Sequence, residues 1–147
     1  MRMPRRGNAM RVLALDYGSA RCGAAVSDPS GTVVTPIEAV LRADSKAGIG
    51  RIAALVRERE VGTVVVGLPL SLAGSDSAQT KQTRAFVARL ATRLGEQVSV
   101  ELYDERLTTK LASRDVSRDA SEDSRAAAHL LEGWLARQSR GSGEDDR

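Results

Sequence analysis

Apolar and polar positions follow two rhythms along this 147-residue chain. Val12 to Leu15 form an unbroken apolar run, which predicts a buried strand over 11–16. "RCGAAVSD" (21–28) reads as a second strand and "DPSG" (28–31) as a turn. "TVVTP" reads as a short third strand ended by Pro36. The period then becomes helical. Ile49, Ile52, Ala53 and Val56 share one face over 45–60, with Ser45 as N-cap and Gly62 as stop. "TVVVG" (63–67) is another buried strand. A second helix is expected over 75–94, with Phe86, Leu90 and Leu94 in one stripe and Gly95 at its C-terminal cap. Val98, Val100 and Leu102 alternate, as in a half-buried strand over 98–103. A short helical stretch is expected after Thr109, and a final amphipathic helix over 121–138.

The order β-β-β-α-β-α-β-α predicts an α/β fold with a central mixed five-stranded sheet flanked by helices. The 63–67 and 98–103 strands should be parallel, because a helix crosses between them. No repeat or internal boundary interrupts the pattern, so 11–138 reads as one domain. Residues 1–10 form a basic tail, with Met10 a candidate alternative start. Residues 139–147 are polar and glycine-containing, and read as a disordered tail.

Composition narrows the function. Aromatics are only 3%, too few for an aromatic platform that binds single strands by stacking. A net charge of +3 permits an anionic partner without requiring one. The single cysteine, Cys22, excludes an internal disulfide and fits a reducing cytoplasm. No apolar run approaches the roughly 18–20 residues of a membrane span, and no secretory segment follows the basic N-terminus.

Three carboxylates stand out. Asp16 ends the first strand, and Glu105 lies just past the 98–103 strand. If those strands are parallel, both acids emerge at the carboxyl-end edge, where α/β sheets bind ligands. Asp104 points the opposite way from Glu105, so only one of them can meet Asp16. At 100° per residue, Asp123, Ala127, Leu130, Leu131 and Trp134 fall at about 0°, 40°, 340°, 80° and 20°. Asp123 thus lies within the apolar stripe and points toward the sheet. His129, the single histidine, falls at about 240°, outside the stripe and toward solvent, which argues against a histidine base.

Each acid also has an ordinary explanation. Asp16 suits a turn, Glu105 could pair with Arg106, and Asp123 benefits from the helix dipole. Together they are harder to explain, because converging acids repel unless a cation lies among them. Oxygen ligands without His or Cys suit Mg²⁺ or Mn²⁺. Two such ions, about 3.5–4 Å apart, can drive phosphodiester hydrolysis without a protein nucleophile. Gly18 either gives a phosphate backbone room or only shapes the turn. The loop over 65–77 leads into a helix N-terminus but is not a Walker loop, and Lys81 and Arg84 read as ordinary surface charges.

"ALDYGSARCGAAVSD", "VVGLPLSLAGS", "YDERLTT" and "EDSRAAAHLLEGWL" occur in the order found in YqgF-type proteins. The resemblance spans about residues 11–137. That family comprises Holliday-junction resolvase-like nucleases with an RNase H-like fold, implicated in maturing the 5′ end of pre-16S ribosomal RNA. The resemblance implies that strands one to three are antiparallel and the others parallel to strand one. It implies that Asp16, Glu105 and Asp123 are the catalytic, metal-holding acids, with Arg21 and Arg106 near bound nucleic acid. Two departures concern substrate grip. Ala20-Arg21 replaces the family's Lys-Arg pair, and the segment 110–122 is short at 13 residues.

The resulting expectation is a cytoplasmic, metal-dependent phosphodiesterase acting on precursor rRNA or a pre-ribosomal particle, with Mg²⁺ or Mn²⁺ and no nucleotide cofactor. Asp104 would help position the metal ligands, and a monomer is favoured. The alternatives are a junction-resolving DNase, which should be dimeric, and a non-catalytic RNA-binding assembly factor. An actin- or sugar-kinase-type nucleotide binder would need a second Asp-x-Gly hairpin, which does not occur after residue 60.

Overall fold

The computed structural model describes residues 10–70, 73–74, 76–107 and 122–145. The tail over 1–9 and the short helix expected after Thr109 lie outside them. The strands are β1 (Arg11–Asp16), β2 (Arg21–Ser27), β3 (Val34–Leu41), β4 (Val61–Leu68) and β5 (Ser99–Asp104). The helices are α1 (Lys46–Glu58), α2 (Ala78–Leu94) and α3 (Glu122–Asp145), with a 3₁₀ turn at Glu105–Leu107. The strands form one sheet in the order β3-β2-β1-β4-β5. β1, β2 and β3 are antiparallel, whereas β4 runs parallel to β1 and β5 parallel to β4. The carboxyl ends of β1, β4 and β5 therefore meet at one edge.

Alternation along the strands divides the core. Leu13, Leu15, Val64 and Val66 pack with Ile52 of α1 and with Phe86 and Leu90 of α2. Val12, Ala14, Val65 and Tyr103 pack with Ala127, Leu130 and Leu131 of α3. The predicted caps form: Ser45 Oγ accepts from Gly48 N, and Gly95 ends α2 at φ 83°. α1 stops before Gly62, at Arg59, because β4 already begins at Val61.

Most boundaries lie within three residues of the sequence expectation, and two differ by more. β3 does not end at Pro36 but runs on to Leu41, with Pro36 opposite Ala25. β3 is an edge strand, where a residue lacking an N–H is tolerated. The segment from 139, expected to be disordered, is helical to Asp145. No proline interrupts it, and extending a nucleated helix needs no second nucleation step.

The N-terminus of α3 rests directly on β2. Ser124 is fully buried, and its Oγ accepts from Ala24 N at 3.3 Å and donates to Ile37 O at 2.5 Å. Gly23 makes the approach possible, since a Cβ there would lie 1.9 Å from the Asp123 carbonyl oxygen. Replacing Ser124 by Ala strands buried backbone groups. The expected loss is about 1–3 kcal/mol, read as a lower urea midpoint at unchanged m-value.

Candidate active site

Asp16 continues the alternation of Val12 and Ala14, so its side chain points to the α3 face of the sheet. The next residue, Tyr17, turns to the other face and stacks on Phe86, with ring centroids 4.5 Å apart. Burial, together with the Asp44 carboxylate facing its hydroxyl, pushes the Tyr17 pKa up. The backbone on the far side of Asp16 is thereby anchored in the core. Across the sheet Asp16 pairs with Gly23 of β2. On its other flank Leu15 pairs with Val66, and the residue after Val66 is Gly67. Two glycines thus flank the acid and clear space on the α3 face.

Glu105 occupies the space over Gly67. A Cβ at residue 67 would lie 2.6 Å from Glu105 Oε2 and 3.0 Å from its Cγ. From this seat the Glu105 side chain neighbours the Asp16 carboxylate, near enough for each to shift the pKa of the other. Burial, then the Asp16 charge, push the Glu105 pKa from the ordinary 4.5 to about 7. The Asp16 pKa is also raised, by burial first and by the charge of Asp123, against the opposing effect of the Glu105 hydrogen bond. Asp123, in the first turn of α3, is half-buried and lies 3.9 Å from Arg21 Nη1.

The three acids singled out in the sequence therefore share one edge. Asp16 and Glu105 are neighbours, and the charge of Asp123 acts on Asp16. Among the described residues no group of three His, Cys, Asp or Glu side chains is drawn together tightly enough to chelate an ion. The donor chemistry nevertheless fits a hard divalent cation: all the groups are carboxylates, and two of them lie side by side with raised pKa values, a repulsion that a cation between them would relieve. The neighbouring pair is the natural core of such a site.

The other expectations divide. Asp104 does not face this cluster. Its Oδ2 accepts from Arg106 Nη2 at 2.6 Å, and its Oδ1 accepts from the Arg106 backbone N at 2.9 Å. Adjacent residues at a strand end diverge, so Glu105 turns to Asp16 while Asp104 engages Arg106. Gly18 has a structural reason for being glycine, since a Cβ would lie 2.6 Å from the Arg21 carbonyl oxygen. Arg84 forms a two-pronged pair with Asp76, at 2.9 and 3.2 Å. His129 is not solvated as expected: its side chain is 21% exposed, with Nδ1 3.7 Å from Glu132. Cys22 is buried at the same edge, and burial and the charges of Asp16 and Asp123 push its thiol pKa up, so it is no nucleophile. Sequence reasoning missed Gly23, Gly67 and Ser124. A glycine inside a strand pattern, as in "RCGAAVSD" and "TVVVG", was the one signal of close approach.

Comparison with known proteins places this arrangement. A family model described as RuvX, Holliday junction resolvase, matches residues 10–137. A protein of Anaeromyxobacter sp. (strain Fw109-5), named "Putative pre-16S rRNA nuclease", is 44% identical over 134 residues, covering 86% of this chain and 96% of that protein. One of the same name from Maridesulfovibrio salexigens is 36% identical, covering 87% and 99%. Among solved structures, T. thermophilus RuvC in complex with a Holliday junction substrate aligns at TM-score 0.57 and 18% identity, covering 89% of this chain and 95% of that one. That likeness gives the fold, a RuvC-type RNase H-like α/β architecture. The extent of the family match and the identity to these relatives show that the chain belongs to the RuvX family.

Proposed function

We propose that this protein is a metal-dependent nuclease that trims the 5′ end of a 16S ribosomal RNA precursor in the cytoplasm. The names of its relatives support the substrate. The observation that carries the chemistry is the contact between Asp16 and Glu105 at the carboxyl edge of the sheet. Two acids held together this way call for a positive partner.

In this reading Asp16, Glu105 and Asp123 hold Mg²⁺ or Mn²⁺. When bound, such an ion supplies an activated water and a counter-charge for the departing oxygen. The protein's own groups do the rest. Asp16 is fixed by β1 and by the Tyr17–Phe86 stack, so its carboxylate needs little reordering. Glu105, whose pKa is raised beside Asp16, would hold the ion in its deprotonated form, its proton passing to solvent. Arg21, exposed beside Asp123, offers its guanidinium to a substrate phosphate, and Arg106, oriented by Asp104, does so from the β5 side. We read the active protein as a monomer.

Cleavage of a 5′-extended pre-16S RNA fragment in Mn²⁺ should be abolished by EDTA. It should fall by more than roughly 100-fold in Asp16→Asn, beyond the 10–100-fold loss typical of residues behind the ligands. The family description favours a DNA junction as the second substrate to test. Preferential cutting of a four-way DNA junction would replace the RNA reading. Intact RNA binding without cleavage of either substrate would make the protein an assembly factor.

The pH dependence follows from Glu105. Its pKa in the fold is raised from 4.5 to about 7, so folding favours the protonated form. That contribution is whole below pH 4.5 and is lost as the pH rises through about 7. In EDTA, the thermal midpoint of wild type should drop relative to that of Glu105→Gln between about pH 5 and about pH 8. With Mn²⁺ bound the rise in cleavage should fall at lower pH than this window, because the cation favours the Glu105 carboxylate. Parallel melting curves for the two proteins would show that Glu105 does not titrate there.

A further inference from the structure

On the face of the sheet opposite the acids, α1 and α2 enclose a groove of about 490 Å³ lined by Lys46, Ile49, Gly50, Arg89 and Arg93. Its three polar lining residues are all cations. Lys46, Arg89 and Arg93 are exposed, and none forms an ion pair among the described residues. The charge of the two helices is strongly one-sided. α2 carries Lys81, Arg84, Arg89 and Arg93 and no acid, and α1 carries Lys46, Arg51 and Arg57 against Glu58 alone. Basic groups outside the groove are partly neutralised, Arg51 by Glu38 and Arg84 by Asp76. Those within it form no ion pair among the described residues; Asp44, which faces the Tyr17 hydroxyl, is the nearby acid.

Gly50 supplies a separate observation. It lies in the interior of α1, where glycine weakens a helix. Unlike Gly23, Gly48 or Gly67, it has no packing reason: a Cβ there would meet nothing within 4 Å. What its missing side chain does is leave the groove wall low between the cations.

We propose that this groove binds the phosphate backbone of a second segment of the nucleic acid, away from the cleavage site. The lining has no aromatic ring to stack a base and no neutral polar side chain to read one, so recognition is of phosphates and is independent of sequence. A membrane surface fits less well, because the exposed large apolar residues, Val33, Leu41, Leu102 and Leu107, lie outside the groove. The proposal rests on the nuclease reading for the identity of the polyanion but not for the binding itself. A long, structured RNA could engage both faces of the protein, whereas a short oligonucleotide would reach only one. This second foothold would also add grip to a chain that lacks one basic residue beside its acidic site.

The test is a binding isotherm in EDTA, with a long 5′-extended pre-16S RNA fragment as probe, over a series of salt concentrations. Lys46→Ala/Arg89→Ala/Arg93→Ala should weaken binding about tenfold or more at physiological salt. It should lower the slope of log K against log salt by roughly 2, at about 0.7–0.9 for each phosphate that the variant leaves unneutralised. Mn²⁺-dependent cleavage of a short oligonucleotide should be retained. Gly50→Gln puts a neutral side chain into the groove and should raise the thermal midpoint while weakening RNA binding. A purely structural role would move both in the same direction. Unchanged affinity and slope in the triple variant would overturn the proposal and leave an acidic protein surface as the groove's partner. Absence of cleavage by wild type, with a salt-sensitive isotherm that the triple variant flattens, would overturn the nuclease reading and leave the groove standing.

Discussion

Asp16 and Glu105 reach each other across the end of β4, and they can do so because residue 67 has no side chain. That contact depends on most of the fold. It needs β1, β4 and β5 parallel, so that their carboxyl ends coincide. It needs β4 between the other two strands, so that a glycine on β4 can seat a side chain arriving from β5. It also needs Tyr17 anchored on the opposite face, so that the chain can turn sharply after Asp16 without carrying the acid along. The sheet order and the chemistry of the edge are thus two views of one constraint.

The same edge is assembled against electrostatic resistance. In a half-buried carboxyl pair with a third acid nearby, the pKa of each member is raised, by burial first. The protein holds these groups together through apolar packing elsewhere, chiefly the α3 stripe on β1, β2 and β4, and through Ser124, which fixes the start of α3 to β2 and β3. Gly23 lets the α3 backbone descend far enough to bring Asp123 to the edge. Stability is supplied by the interior and drawn on at the site.

Charge is also segregated between the two faces. Acids gather beneath the start of α3, and bases gather on α1 and α2. A net charge of +3 conceals this separation. A polyanion approaching such a molecule meets attraction over the α1–α2 face and repulsion from the carboxylates at the acidic edge.

Local patterning was enough to specify the elements and much of the site. Apolar runs, alternation or helical spacing marked the strands, β3 only in part, and the three described helices, because burial leaves a signature that local residues carry alone. The Asp123 stripe was legible for the same reason: a helix converts spacing into direction. The family motifs added the expectation that three acids converge. What the linear chain could not convey was how close the groups come and what they are bound to. That Asp104 belongs to Arg106 rather than to the acids follows from side-chain directions at a strand end, which one residue of register decides. That β3 passes through Pro36 follows from its edge position in the sheet, a property of neighbours and not of the residue. Gly23, Gly67 and Gly50 look alike in the sequence. Only the folded chain shows that the first two are filled by another part of the molecule and the third opens onto a groove, because the space around a missing side chain is set by segments distant along the chain.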